Sequence, residues 1–344
     1  MEDVRGRFVW HQLMTRDVPG AKKYYSKLIG WKTMPWPLDP AYTVCHADAG
    51  PVAGIMEIPS EAPDVPSHWL PYMGTRDVDA TADAAVRAGG SVMKTPSDMP
   101  GAGRYAVLKD PQGAVFCIIN PENARPEGMG PPPLGTFSWH ELATSDNEAA
   151  FAFYSNLFGW EAMQRMDMGP SGVYLVFGQN GVQRGGIYIK PADWQAPPNW
   201  LPYAHVPNAD KAFAIATSNG GTQLVAPMDV PGGGRIATFT DSAGAPFAVH
   251  SMPAAAAAPS AEAEPKVKTT LKAKAKPKAK AAVKPAAKKK VVKKAAPKKK
   301  AAMKAAPKKK APARKAKAKA KAKGKAKAKA RAKTRKNSGA RRKK

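Results

Sequence analysis

Residues 24–31 read Tyr-Tyr-Ser-Lys-Leu-Ile-Gly-Trp, and residues 153–160 read Phe-Tyr-Ser-Asn-Leu-Phe-Gly-Trp. The two stretches lie 129 positions apart, and the register extends outward from them. Upstream, Trp10-His11 returns as Trp139-His140 and Asp17 as Asp146. Downstream the offset becomes 131. Trp69-Leu-Pro-Tyr72 returns as Trp200-Leu-Pro-Tyr203, Gly89-Gly90 as Gly220-Gly221, and Gly103-Arg104 as Gly234-Arg235. Asp110, Gly113 and Phe116 return as Asp241, Gly244 and Phe247. Agreement over that length implies two homologous domains, 6–122 and 135–252, joined by a Pro/Gly-rich linker over 123–134. Solenoid units are shorter than this period.

Within each domain the coarse pattern is βαβββ, twice over. Phe8–Thr15 alternates as a strand does, and residues 18–29 carry Ala21, Tyr24, Tyr25, Leu28 and Ile29 at helical spacing, with Gly30 placed to end the helix. Residues 42–46 and 52–58 read as strands, 69–75 begins the pattern again, and 80–88 is a short Ala-rich helix. A hairpin is predicted around the turn sequence Asp110-Pro-Gln-Gly113.

A strand, an Asp and a helix ending in the quoted stretch resemble the vicinal oxygen chelate superfamily, which holds glyoxalase I, extradiol dioxygenases and bleomycin-resistance proteins. The segment Arg104-Tyr-Ala-Val-Leu-Lys-Asp-Pro-Gln-Gly-Ala-Val-Phe116 fits the end of such a domain. The resemblance implies an α+β fold of two tandem domains, each of paired βαβββ modules whose sheet curls around a cleft. It also implies where a divalent metal would sit. Those positions are Trp10, Leu70 and Cys117 in the first domain and Trp139, Leu201 and Ala248 in the second. Trp, Leu and Ala are not metal ligands, and one Cys is not a site. The expectation is therefore no metal and no cofactor, and a fold that does not carry its usual chemistry.

Strand alternation sorts the remaining candidates. Trp10 and Gln12 face the first cleft with Tyr72; Trp139 and Glu141 face the second with Tyr203 and His205. His11 and His140 fall on the helix side, as packing residues. Glu141, His205 and His250 share parity and form an alternative, off-position ligand set, which Gln12, Gly74 and Ile119 cannot reproduce in the first domain. Arg104 and Arg235 follow Gly-rich loops. One reading makes each loop a lip that presents a cation to an anionic or carbonyl ligand. The other makes it a tight turn whose Arg pairs with a surface acid. No GxSxG, HExxH or phosphate-binding loop is present.

Charge divides the chain. Of 55 Lys and Arg and 26 Asp and Glu, residues 254–344 hold 37 of the former and only Glu262 and Glu264 of the latter. That stretch carries +35 and residues 1–253 carry −6. Every Trp, Tyr and Phe lies in the acidic part. The basic stretch cannot bury a core and is expected to be disordered. It has a ten-residue period, with Lys288-Lys289-Lys290, Lys298-Lys299-Lys300 and Lys308-Lys309-Lys310, and closes on Arg341-Arg342-Lys-Lys. It resembles the C-terminal tails of linker histones and bacterial histone-like proteins. Without aromatic residues to stack on bases, it is expected to bind double-stranded DNA through phosphates. The partners expected are thus DNA for the tail and an unidentified small molecule for the clefts. A membrane is not expected, since no apolar anchor accompanies the charge. Cys45 and Cys117 make no disulfide framework, and the N-terminus lacks a signal-peptide pattern, so the chain reads as a bacterial, cytoplasmic, nucleoid-associated protein.

Overall fold

A computed structural model describes residues 3–128 and 130–253. The tail expected over 254–344, with its named Lys and Arg residues, lies outside the described residues.

The first sheet contains eight strands: β1 (Phe8–Thr15), β2 (Lys32–Trp36), β3 (Asp39–Ala47), β4 (Gly50–Glu57), β5 (His68–Gly74), β6 (Ser91–Met99), β7 (Gly103–Lys109) and β8 (Val115–Pro121). Their order is β2-β3-β4-β1-β5-β8-β7-β6. Helix α1 (Val18–Ile29) follows β1, and α2 (Val78–Arg87) follows β5. The sheet is thus two βαβββ modules joined edge to edge where β1 runs antiparallel to β5. The second sheet repeats this with β9 (Phe137–Thr144), α3 (Asn147–Phe158), β10 (Glu161–Asp167), β11 (Val173–Gln179), β12 (Val182–Ile189), β13 (Asn199–His205), α4 (Ala209–Ser218), β14 (Thr222–Asp229), β15 (Arg235–Thr240) and β16 (Pro246–Ser251). Its order is β10-β11-β12-β9-β13-β16-β15-β14.

Local sequence explains the helix ends. The Asp17 and Asp146 carboxylates accept from the Gly20 and Ala149 amides and cap α1 and α3. Gly30 and Gly159 stop the same helices in the left-handed region, at φ 86° and 72°. Strands β2 and β6 carry no alternation that sequence reading found. Most of their residues are exposed, so no apolar stripe marks them.

The helix-bearing faces of the two domains pack on each other. One core joins Leu13, Tyr25, Trp31 and Ile55 of the first module and Trp69 of the second to Phe239, Phe247 and Val249 of the fourth. A second joins Leu108, Phe116 and Ile118 of the second module to Tyr154, Phe158, Trp160 and Phe177 of the third. Within each core runs the same polar bridge. Trp69 Nε1 donates to Tyr25 Oη at 3.0 Å, and Tyr25 Oη donates to Asp241 Oδ2 at 3.0 Å. Its twin runs from Trp200 Nε1 to Tyr154 Oη at 3.1 Å and on to Asp110 Oδ2 at 3.0 Å. The other Asp110 oxygen accepts from the Gln112, Gly113 and Ala114 amides and so builds the hairpin turn. Cys45 and Cys117 are free and buried. No helix among the described residues is long and apolar enough to cross a membrane.

His11 and His140 meet between the domains, Nε2 to Nε2 at 2.8 Å, both buried, and each stacks on a phenylalanine of the other domain. His140 Nδ1 lies 3.1 Å from the Arg184 carbonyl, which can only accept, so Nδ1 holds the His140 proton. The His140 Nε2 lone pair then receives the N–H of His11. Burial, and secondarily His140, push the pKa of His11 well below the ordinary histidine value. Burial holds His140 down to about 3. Since both folded-state values are depressed, the unfolded chain binds protons that the fold refuses once pH drops below about 6.5. Stability contributed by the neutral pair is therefore lost as pH falls from there toward about 3. Two such groups give a slope of up to about 2.7 kcal/mol per pH unit. Asp110, Asp241 and Glu141, raised by burial, act in the opposite sense. Urea titrations between pH 7 and 5 should show wild type losing stability faster than the His11→Gln/His140→Gln variant. Parallel curves would contradict the neutral-pair assignment.

Candidate functional site

Each sheet curls so that the face opposite its helices lines a cleft. In the first, Leu70, Tyr72, Cys117 and Ile119 form the floor, with Trp10, Met14 and Tyr105 against it. In the second, Leu201, Tyr203 and Ala248 form the floor with Trp139 and Ile236. Both clefts open into one continuous cavity of about 1980 Å³, whose wall also includes linker residues 123–128 and 130–133.

Trp10, Gln12 and Tyr72 meet as their strand parity required, and a residue missed in the sequence completes the group. Trp10 Nε1 donates to Tyr42 Oη at 2.8 Å, and Tyr72 Oη donates to Gln12 Oε1 at 2.9 Å. Tyr42 Oη also approaches Gln12 Oε1 at 3.4 Å. In the second cleft Trp139 Nε1 donates to Tyr174 Oη at 2.9 Å. Tyr174 and Tyr203 then donate to the two oxygens of Glu141, at 2.6 and 2.5 Å. Burial raises the pKa of Glu141, and the two phenol bonds oppose that rise. It raises those of Tyr174 and Tyr203 too, with Glu141 adding to the effect, so both phenols stay protonated.

Tyr42 and Tyr174 had a readable signal. They are 132 apart, as are Gly54 and Gly186. The repeat slides by three residues at the β10–β11 connection and back by one before β13, so matching at 129 and 131 alone passes over this pair. The glycines are structural partners of the tyrosines. A Cβ built on Gly54 would stand 1.8 Å from Tyr42 Oη, and one on Gly186 2.1 Å from Tyr174 Oη.

The remaining candidates lie elsewhere. Arg104 makes a bidentate pair with Asp79 and a further bond to Asp98 at 2.9 Å, and Arg235 does the same with Asp210 and with Asp229 at 2.8 Å. Neither lines the cavity, so the lip-and-cation reading is corrected to surface pairing. The Gly-rich segments are tight turns between β6 and β7 and between β14 and β15. His205 Nδ1 lies 2.6 Å from the Pro132 carbonyl. His250 lines the cavity, its Nδ1 3.1 Å from Ser138 Oγ. Glu141, His205 and His250 therefore do not converge. Among the described residues no three His, Cys, Asp or Glu side chains group as ligands of one ion.

The metal that the fold implies does not fit the residues at its positions either. Leu70, Leu201 and Ala248 carry no donor atom, and Trp10 and Trp139 give their only polar hydrogen to a tyrosine. Burial pushes the Cys117 thiol up to about 12, away from the thiolate a metal requires.

A paired-module α+β fold with two clefts defines a class, and sequence comparison gives the same one. The profile of the Glyoxalase/Bleomycin resistance protein/Dioxygenase superfamily matches residues 7–118 and 136–249, and the chain belongs to that superfamily. The chain is 32% identical over 244 residues to "Putative glyoxylase CFP32" of Mycobacterium tuberculosis (strain CDC 1551 / Oshkosh), covering 70% of this chain and 92% of that protein. It is 31% identical over 274 residues to "Anthracycline biosynthesis protein DauV" of Streptomyces sp. (strain C5), covering 73% and 96%. Among solved structures, the 2,3-dioxygenase LapB of Pseudomonas sp. KL28 superposes with a TM-score of 0.52 at 12% identity, over 72% of this chain and 93% of that one. A Mn(II)-bound glyoxalase of Novosphingobium aromaticivorans gives 0.51 at 16% identity, over 72% and 82%. At those identities the likeness is one of fold.

The Gly186–Tyr174 contact offers a direct check on the second cleft. Gly186→Ala should displace Tyr174, break its bond to Glu141 and cost roughly 1–3 kcal/mol as overpacking does. Gly128→Ala, with nothing within 4 Å of its Cβ, should cost nothing measurable. Urea denaturation and near-ultraviolet circular dichroism report both; equal stabilities would contradict the packing.

Proposed function

We propose that this chain is a metal-independent, small-molecule-binding member of its superfamily, held on double-stranded DNA by its basic tail. The observation that carries the binding half is the occupation of both cleft floors by hydrogen-bonded Trp–Tyr–Gln or Trp–Tyr–Glu sets where metal-dependent members keep ligands. Such a floor offers flat apolar surface with a few fixed polar atoms, which is how small-molecule sites are built. Trp36, Met34 and Met99 line the first cleft side, and Met166, Met168 and Met228 the second. Aromatic rings and polarizable sulfur suit an uncharged aromatic ligand. The anthracycline-biosynthesis name of one relative points the same way. The domains 6–122 and 135–252 act here as two binding units on one scaffold.

The DNA half rests on the segregation of charge, +35 in residues 254–344 against −6 in residues 1–253. A polycation of that density neutralises phosphates and releases counterions, without reading bases. The resemblance to linker-histone tails, the nucleoid association and the cytoplasmic location belong to this proposal.

Two measurements test it. Chain dialysed against chelator and then against buffered zinc, nickel, manganese or iron should retain less than stoichiometric metal by mass spectrometry. One tightly held ion per chain would overturn metal independence. Binding of the full chain to duplexes of unrelated sequence should fall steeply and linearly in log[salt], with no sequence preference, and removal of residues 265–344 should abolish it. A shallow salt slope, or undiminished affinity after the deletion, would remove the tail from the reading.

A further inference from the structure

The two clefts share a scaffold but differ at one chemically decisive place. Gln12 and Glu141 occupy equivalent positions on β1 and β9, each bonded by a tyrosine of the following module, Tyr72 or Tyr203. An amide there can only bind. A carboxylate can also exchange a proton. Glu141 lines the cavity, is half-buried, and has each oxygen engaged by a single phenol, which leaves each oxygen with acceptor capacity to spare.

We infer that the second cleft is a metal-free proton-transfer site, in which Glu141 removes and returns a proton on the carbon beside the carbonyl of an uncharged aromatic ketone, while the first cleft binds without reacting. This rests on the proposed small-ligand reading and extends it. The Glu141 carboxylate takes the proton, the C–H pair becomes the C=C bond of the enolate, and the carbonyl pair moves to oxygen. The proton then returns to carbon, on the same or a conjugated position. No oxidant, reductant or co-substrate is required.

The surroundings match each requirement. A carboxylate in water is a feeble base; burial raises the Glu141 pKa toward working pH, where general bases are most effective. The phenols oppose that rise and hold the charged form in one orientation. Both remain protonated, so once Glu141 has taken the proton, Tyr174 and Tyr203 are donors close to the oxygen that gains charge. The groups facing Glu141 from neighbouring strands are Tyr174 on β11, Tyr188 on β12 and Tyr203 on β13, with Ala248 on β16 adding no charge. Arg184, which lines the cavity, is held by Glu127 of the linker at 2.7 Å. That arrangement favours an uncharged guest over an anion.

The test uses the full chain in D₂O with EDTA and 2-tetralone as probe, following loss of its α-proton signals by ¹H NMR and its binding by titration calorimetry. Wild type should exchange the α-protons above the buffer rate, and Glu141→Gln should bind the probe equally but exchange it more slowly, on the order of 100-fold. Gln12 shows that the same scaffold accommodates glutamine. Tyr203→Phe removes a donor that favours the charged form, so its rate–pH midpoint should move to higher pH. Equal exchange by wild type and Glu141→Gln with intact binding overturns the inference and leaves the binding reading standing. Absence of saturable binding overturns both. Exchange seen only in a parallel sample without EDTA shows a metal and overturns the inference, as does a Tyr203→Phe profile with an unshifted midpoint.

Discussion

Two buried carboxylates, Asp110 and Asp241, hold the architecture together. Each has one oxygen on its own hairpin amides and the other on a tyrosine of the opposite domain. A turn-forming residue in a surface hairpin would be replaceable by Asn or Ser. Here the same group closes the turn and bridges the domains, so neither task can change without the other. The Tyr hydroxyl is satisfied on both sides, receiving from an indole and giving to a carboxylate. That complete pairing is what makes a polar chain acceptable inside an aromatic core, where an unpaired member would cost on the order of 1–3 kcal/mol.

The bridges also determine which faces remain open. Because each domain covers the helix face of the other, the cores lie between domains, and the opposite sheet faces are left to form clefts. Duplication thus supplies two clefts on one scaffold. Equivalent positions then diverge where the scaffold does not need them: Gln12 and Glu141, Cys117 and Ala248, Met56 and Tyr188. The positions that build the bridges, Tyr25 and Tyr154 or Trp69 and Trp200, are the same in both copies. The Trp and Tyr pairs of the cleft floors are kept as well, so the two clefts differ in the polar group those tyrosines hold, an amide in one and a carboxylate in the other.

How much of this the sequence discloses depends on whether a feature is local. Caps, helix stops and strand parity are local, and Asp17, Gly30, Trp10 and Gln12 stand where reading placed them. An apolar stripe does not say what will cover it. Tyr25 reads as part of an ordinary helix face, although Asp241 and Phe247 of the second domain pack against it. His11 and His140 read as packing residues, but the bond between them needs the two domains face to face. The errors have the same origin. Arg104 follows a Gly-rich turn beside a cleft, and only the fold brings Asp79, from the start of α2, against it. Exposed edge strands such as β2 leave no periodicity, and Tyr42 is hidden by the slip in the repeat.

The linker acts as a third wall of the cavity as well as a connection. Arg125 reaches the Ala49 and Pro51 carbonyls of the first domain, and Glu127 pairs with Arg184 of the second. Arg7 of the first domain bonds the Arg125 carbonyl at 2.8 Å. A Pro/Gly-rich segment needs such contacts to hold one course, because its own backbone forms few internal bonds. Seated this way it lines the cavity with the rings of Pro126, Pro131, Pro132 and Pro133 as well as with the Glu127–Arg184 ion pair. The linker thus joins the walls of one cavity whose two floors differ at Gln12 and Glu141.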